Sequence, residues 1–197
     1  MRSELRSIGC GRGDDLAAAA TATPKPRIYI DAMVIVYHLG SDTASRLFEL
    51  NARFLSRVKR GEVEPVVSTF CLTEAAAVIV ELLTKQRDRL PTQTERERIQ
   101  TRIEQFVDAF GLEVLSADEL VALPDGEVDL FARTKQIIDA AKPVQGSYDR
   151  KWRMVGGADA IHVALAERAK ANILATFDEG FRTVQSPVSV EILGRRP

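Results

Sequence analysis

Short, continuously apolar runs alternate along this chain with longer stretches in which apolar positions recur every three or four residues, the signature of strands alternating with helices. The first run, Arg27-Ile28-Tyr29-Ile30-Asp31-Ala32-Met33-Val34-Ile35-Val36-Tyr37, is β-branched and aromatic. It is too apolar on both sides for a half-wet strand and predicts a central strand covered on both faces. A helix is expected from Ser41-Asp42, with the stripe Ala44, Leu47, Phe48, Leu50, Phe54, Leu55 and Val58 and a stop at Lys59-Arg60-Gly61. Glu64 to Ser68 reads as a second strand, and Thr69 to about Arg87 as an apolar helix with Glu74 near its first turn. Leu90-Pro91-Thr92 breaks that helix, and Thr94 with Glu97 predicts the capping box of another, ending at Gly111.

Leu112 to Leu115 follows as a third strand, then a short helix capped by Ser116 and another from about Glu127 to Ala141. Pro143 to Gly157 reads as irregular, Ala158 to Lys170 as a helix, Asn172 to Thr176 as a fourth strand and Val188 to Leu193 as a final one. Strands alternating with helices predict an α/β fold, a three-layer α/β/α sandwich around a central, mostly parallel sheet. Residues 1–26 have no period and are expected to be a disordered tail. Residues 27–197 are expected to form a single domain with a helical extension around 84–110.

Composition narrows the chemistry. A formal net charge of -1 argues against gripping nucleic acid by global positive charge, so such binding has to rest on a local site. No apolar run approaches the ~20 residues of a membrane span, and the start lacks the apolar stretch of a signal peptide, so a cytoplasmic location is the default. Cys10 and Cys71 suggest neither a disulfide framework nor a cysteine metal site. With two histidines in the chain, a metal is expected to be hard and oxygen-bound, Mg2+ or Mn2+.

Four acids sit where an open parallel sheet binds ligands, beyond strand ends and at helix starts: Asp31, Glu74, Asp159 and Asp178. Each has a structural alternative: a helix cap for Asp31, dipole complementation for Glu74 and Asp159, a turn for Asp178. Jointly, four repelling carboxylates at one edge call for a cation. The cluster Arg150, Lys151, Trp152 and Arg153 can bind phosphates and stack a base; the alternative is a solvated loop with Trp152 packed inward. His162, one turn after Asp159, is expected to be a satisfied half-buried histidine, a contact near the acids being the alternative.

The runs Ile28 to Tyr37, Ser68 to Glu74, Ala158 to Ala166 and Ala175 to Phe181 resemble, in order, the motifs of the PIN domain family, and in particular VapC-type toxins of bacterial toxin–antitoxin pairs. The resemblance implies that Asp31, Glu74, Asp159 and Asp178 form an acidic, metal-binding catalytic cluster, supported by the Thr176 hydroxyl. It implies Mg2+- or Mn2+-dependent endoribonuclease activity on RNA, a small antitoxin partner and a homodimer. Other readings within the fold are a PIN nuclease in RNA processing or DNA repair, or a catalytically silent protein-binding domain. The helices around 84–110, the segment 118–157 and His162 depart from compact members of the family.

Overall fold

A computed structural model of the chain describes residues 24–40, 45–116, 129–146 and 150–194. The expected tail lies almost entirely outside these residues, as do the expected helix start at Ser41-Asp42 and the short helix after Ser116. Five parallel strands form the main sheet: β1 (Arg27–Ile30), β2 (Glu64–Ser68), β3 (Glu113–Leu115), β6 (Ile173–Thr176) and β7 (Ser189–Ile192), in the order β3-β2-β1-β6-β7. The central position of β1 follows from its two apolar faces. Ile28 and Ile30 enter one core cluster and Tyr29 the other, all fully buried.

On one face lie α1 (Ala32–Leu39), α2 (Arg46–Lys59), α3 (Thr69–Arg87) and α4 (Gln93–Phe110). On the other lie α5 (Leu130–Ala140) and α6 (Gly157–Arg168), giving the three layers that the alternation predicts. The apolar stripe of α4, Ile99, Ile103, Phe106 and Phe110, is buried in the core of its own chain.

Several local expectations are corrected. The first apolar run is a four-residue strand and, after Asp31, an eight-residue helix. A continuous apolar run has no period to separate the two. Ser45, not Ser41, caps α2, accepting from the Phe48 N–H at 3.2 Å. Thr92 rather than Thr94 caps α4, and its capping-box partner is Glu95: the Glu95 N–H donates to Thr92 Oγ1 at 3.3 Å and the Thr92 N–H donates back at 2.8 Å. Pro91 directly before Thr92 disfavours a helical start any earlier. The segment 143–157 is not wholly irregular, since β4 (Val144–Gln145) pairs antiparallel with β5 (Trp152–Arg153).

Candidate active site

The strand order changes direction between β1 and β6: from β1 the chain builds outward through β2 and β3, and later through β6 and β7 on the other side. Ligand crevices of open parallel sheets lie at that reversal, beyond the carboxyl ends of the strands. Asp31 follows β1 there, its N–H donating to the Ala175 carbonyl at 3.1 Å. Its side chain is 7% exposed. Oδ1 accepts from the Ala32 N–H and Oδ2 from the Thr176 hydroxyl, each at 2.7 Å. Thr176 Oγ1 also accepts from the Asp178 N–H at 3.0 Å, so one hydroxyl ties both acid-bearing turns together. Burial pushes the Asp31 carboxyl above its ordinary range. His162 and the Thr176 hydroxyl oppose this, while the charge of Glu74 adds to it.

Glu74 comes from α3, whose start is set by Ser68 Oγ accepting from the Cys71 N–H at 3.2 Å. No acid occupies the first turn of α3, so Glu74 sits too deep to complement the helix dipole as the sequence suggested. Its Oε2 instead meets His162 Nε2. Asp159 lies in the first turn of α6 and accepts from the Gly156 N–H at 2.8 Å through Oδ2. Its carboxyl is raised first by burial, and further by the negative charges of Asp178 and Asp31, which places all three in one electrostatic neighbourhood. Asp178 Oδ1 accepts from the Gly180 N–H at 2.6 Å at the start of a 3-10 turn, Glu179–Thr183. For Asp31, Asp159 and Asp178 the structural roles are therefore real. Each has backbone bonding to one carboxylate oxygen, and among the described residues Asp31 alone of the three has its second oxygen bonded as well, to the Thr176 hydroxyl.

His162 is the site residue that sequence reasoning undervalued. It is 1% exposed, not half-buried. Nε2 lies 3.7 Å from Asp31 Oδ1 in addition to its Glu74 contact, and Nδ1 lies 3.2 Å from Tyr29 Oη, itself 2.6 Å from Ser68 Oγ. Tyr29 and Phe70 pack against the imidazole at centroid distances of 5.9 and 5.1 Å. The available signal was its position three residues after Asp159 in an otherwise apolar helix, which turns both toward the sheet edge. Ligand atoms of Asp31, Glu74 and His162 all lie within 4.8 Å of one another. Two carboxylates so close, with Asp159 nearby, suit a divalent cation held by oxygen, while the imidazole, with Nε2 on Glu74 and Nδ1 on Tyr29, orients the Glu74 carboxylate.

Arg150, Lys151 and Arg153 do not join this cluster; they lie on and beside β5, which leads into Gly156 and Asp159. Trp152 is 71% exposed, contrary to the inward-packed alternative. No helix among the described residues is long and apolar enough to cross a membrane.

No curated protein matches the chain. Among solved structures, VapC20 of Mycobacterium tuberculosis, a sarcin–ricin loop cleaving toxin, is similar with a TM-score of 0.44 and 11% identity, over 75% of this chain and 86% of that one. The family model of the PIN domain matches residues 28–186, from β1 through the last acid-bearing turn, and the chain therefore belongs to the PIN domain family.

Proposed function

We propose that this protein is a Mg2+- or Mn2+-dependent endoribonuclease that cleaves RNA phosphodiester bonds as the toxin of a type II toxin–antitoxin pair. The observation that carries the reading is the convergence of Asp31 and Glu74, from the helices that start after two different strands, to within 4.8 Å of one another, with Asp159 in the field of Asp31 and Asp178. Family membership supports a nuclease. In this reading Asp31, Glu74, Asp159 and Asp178 are the catalytic acids and metal ligands, and Thr176 is their support. Residues 27–197 act as one nuclease domain with the helices around 84–110 as an extension.

When bound, the cation supplies an acidified water and neutralises charge on the phosphoryl oxygens. The chain's own residues do the rest. Asp31 is held by two short hydrogen bonds on a rigid strand end, so its carboxylate needs no reordering on binding. Thr176 fixes the spacing between Asp31 and the Asp178 turn. His162 holds Glu74 toward Asp31 against the repulsion of the two carboxylates. Hydrolysis joins a water oxygen to phosphorus and breaks one P–O ester bond, freeing two RNA ends. Arg150, Lys151 and Arg153 supply cationic contacts to the flanking phosphates.

The proposal includes a cytoplasmic location, a small antitoxin that covers the acidic cleft, and a homodimer. Its test is cleavage of RNA in Mg2+ or Mn2+ by wild type, Asp31→Asn and Asp159→Asn. Metal-dependent cleavage by wild type alone is the expected result, and equal activity in all three overturns it. Loss of that activity on adding the product of a neighbouring short reading frame separates a toxin from a PIN nuclease of RNA processing.

A further inference from the structure

The segment from β5 to Gly156, which leads to the acidic cleft, shows two large apolar side chains to solvent. Trp152 is 71% and Met154 59% exposed, while Val155 is buried in the core at 3%. Val155, directly after them, anchors the segment in the core while both of these side chains stay in solvent. An exposed indole is unusual for a side chain that gains so much from burial.

The segment carrying it is braced. The Gly146 N–H donates to the Lys151 carbonyl and Gln145 Nε2 to the Arg150 carbonyl, both at 2.8 Å. The Lys142 N–H donates to Thr183 Oγ1 at 3.2 Å, and the Thr183 hydroxyl donates to the Lys142 carbonyl at 2.6 Å. These last two bonds fasten the β4–β5 unit to the 3-10 turn that begins directly after Asp178.

Its position is equally defined. The Met154 carbonyl lies 3.5 Å from where a side chain on Gly180 would begin, beside the Asp178 turn. Two residues later the Gly156 N–H holds the Asp159 carboxylate at 2.8 Å. Trp152 is four residues from Gly156 and thus at most ~14 Å away along the chain. Arg150, Lys151 and Arg153 surround the indole in sequence, a local excess of positive charge in a chain of net charge -1.

Building on the ribonuclease reading, we propose that Trp152 and Met154 form a stacking surface beside the acidic cleft for an unpaired base of single-stranded RNA. A flat aromatic face flanked by cations recognises base and phosphate together without reading sequence. Bases of an RNA duplex are stacked on each other and cannot occupy it without being pulled out.

Trp152 is the only tryptophan of the chain, so its emission reports on this surface alone. The full chain is titrated in Mg2+ with a mixed-sequence 2′-O-methyl oligoribonucleotide, either single-stranded or annealed to its complement, and the oligonucleotide is checked for integrity afterwards. Saturable quenching by the single strand and little by the duplex is expected. Binding of the labelled single strand should weaken about five-fold or more in Trp152→Ala and be largely restored in Trp152→Phe, as for loss of one base–aromatic stack.

Equal response to duplex and single strand, absence of quenching, or unaltered binding by Trp152→Ala overturns the proposal. So does a silent indole together with a dimer that Trp152→Ala converts to monomer in sedimentation, which would make this face a self-association surface. Quenching and weakened binding without any RNA cleavage would leave the surface standing and the ribonuclease reading lost. Asp31-dependent cleavage with a silent indole would give the reverse.

Discussion

Replacing Asp31 by Asn removes a charge from a buried site and should abolish metal binding without unfolding the protein. The ligand atoms of Asp31 and Glu74 lie within 4.8 Å, where two unit negative charges repel by about 3.5 kcal/mol at an effective dielectric constant of 20. The amide relieves that repulsion and the desolvation that raises the Asp31 carboxyl. Against this, an amide keeps a single accepting oxygen: with Oδ1 retained for the Ala32 N–H, the Thr176 contact survives only in reverse, the new NH2 donating to Thr176 Oγ1, and the lost acceptance and charge assistance together cost about 2–3 kcal/mol. The near balance predicts that in EDTA the Asp31→Asn protein melts no lower than wild type.

Added metal then separates the two proteins. A ligand at one hundred times its Kd stabilises the native state by about 2.7 kcal/mol, which for a domain of this size is roughly 5–11 °C in Tm. Calorimetry in EDTA and then in saturating Mn2+ should show that rise for wild type and none for Asp31→Asn. An Asp31→Asn protein that loses more than about 2 kcal/mol in EDTA would refute the balance of repulsion and bonding. One whose Mn2+ shift equals that of wild type would refute the role of Asp31 as a ligand.

His162→Leu, which keeps the volume but drops the donor to Glu74, should weaken Mn2+ binding measured by electron paramagnetic resonance, with His162→Gln restoring part of it; unchanged or tighter binding in the leucine variant would show that Glu74 does not need His162. Thr176→Val leaves the Asp178 N–H unpaired and strips a donor from Asp31 in a fully buried setting, and should cost about 2–4 kcal/mol in denaturant titration along with cleavage activity. The carboxyls of Asp31 and Asp159 hold their protons above the ordinary carboxylate range, mainly through burial. Between the unfolded and the raised values the folded state binds more protons, so their stabilising contribution is present at acid pH and lost as pH rises. In EDTA, wild type should therefore gain stability relative to Asp31→Asn as the pH is lowered from 7 toward 4. Thr92→Ala, remote from the cleft, should lower stability by about 1 kcal/mol through loss of the α4 cap while RNA cleavage is retained.

The alternation of apolar runs with helical stripes was enough to determine the layered parallel fold, because burial on both faces leaves a strand such as Ile28–Ile30 no polar side to show. That Asp31 and Glu74 would meet was legible from their places after the first two strands, since topology brings those ends to one edge, where their ligand atoms lie within 4.8 Å. Boundaries were less so. The apolar run from Ala32 to Leu39 is helix because Asp31 caps it and the strand ends there, which apolar character does not encode.

The site's completion depended on distance in space. His162 reaches Glu74 across 88 residues of sequence, a partner that its neighbours in the chain do not encode, whereas the support of Asp31 by Thr176 across 145 residues was implied by the family resemblance. Exposure was equally a tertiary matter. Trp152 is an apolar residue that burial would favour, yet it stands 71% exposed on a short strand whose following residue pair ends in the buried Val155.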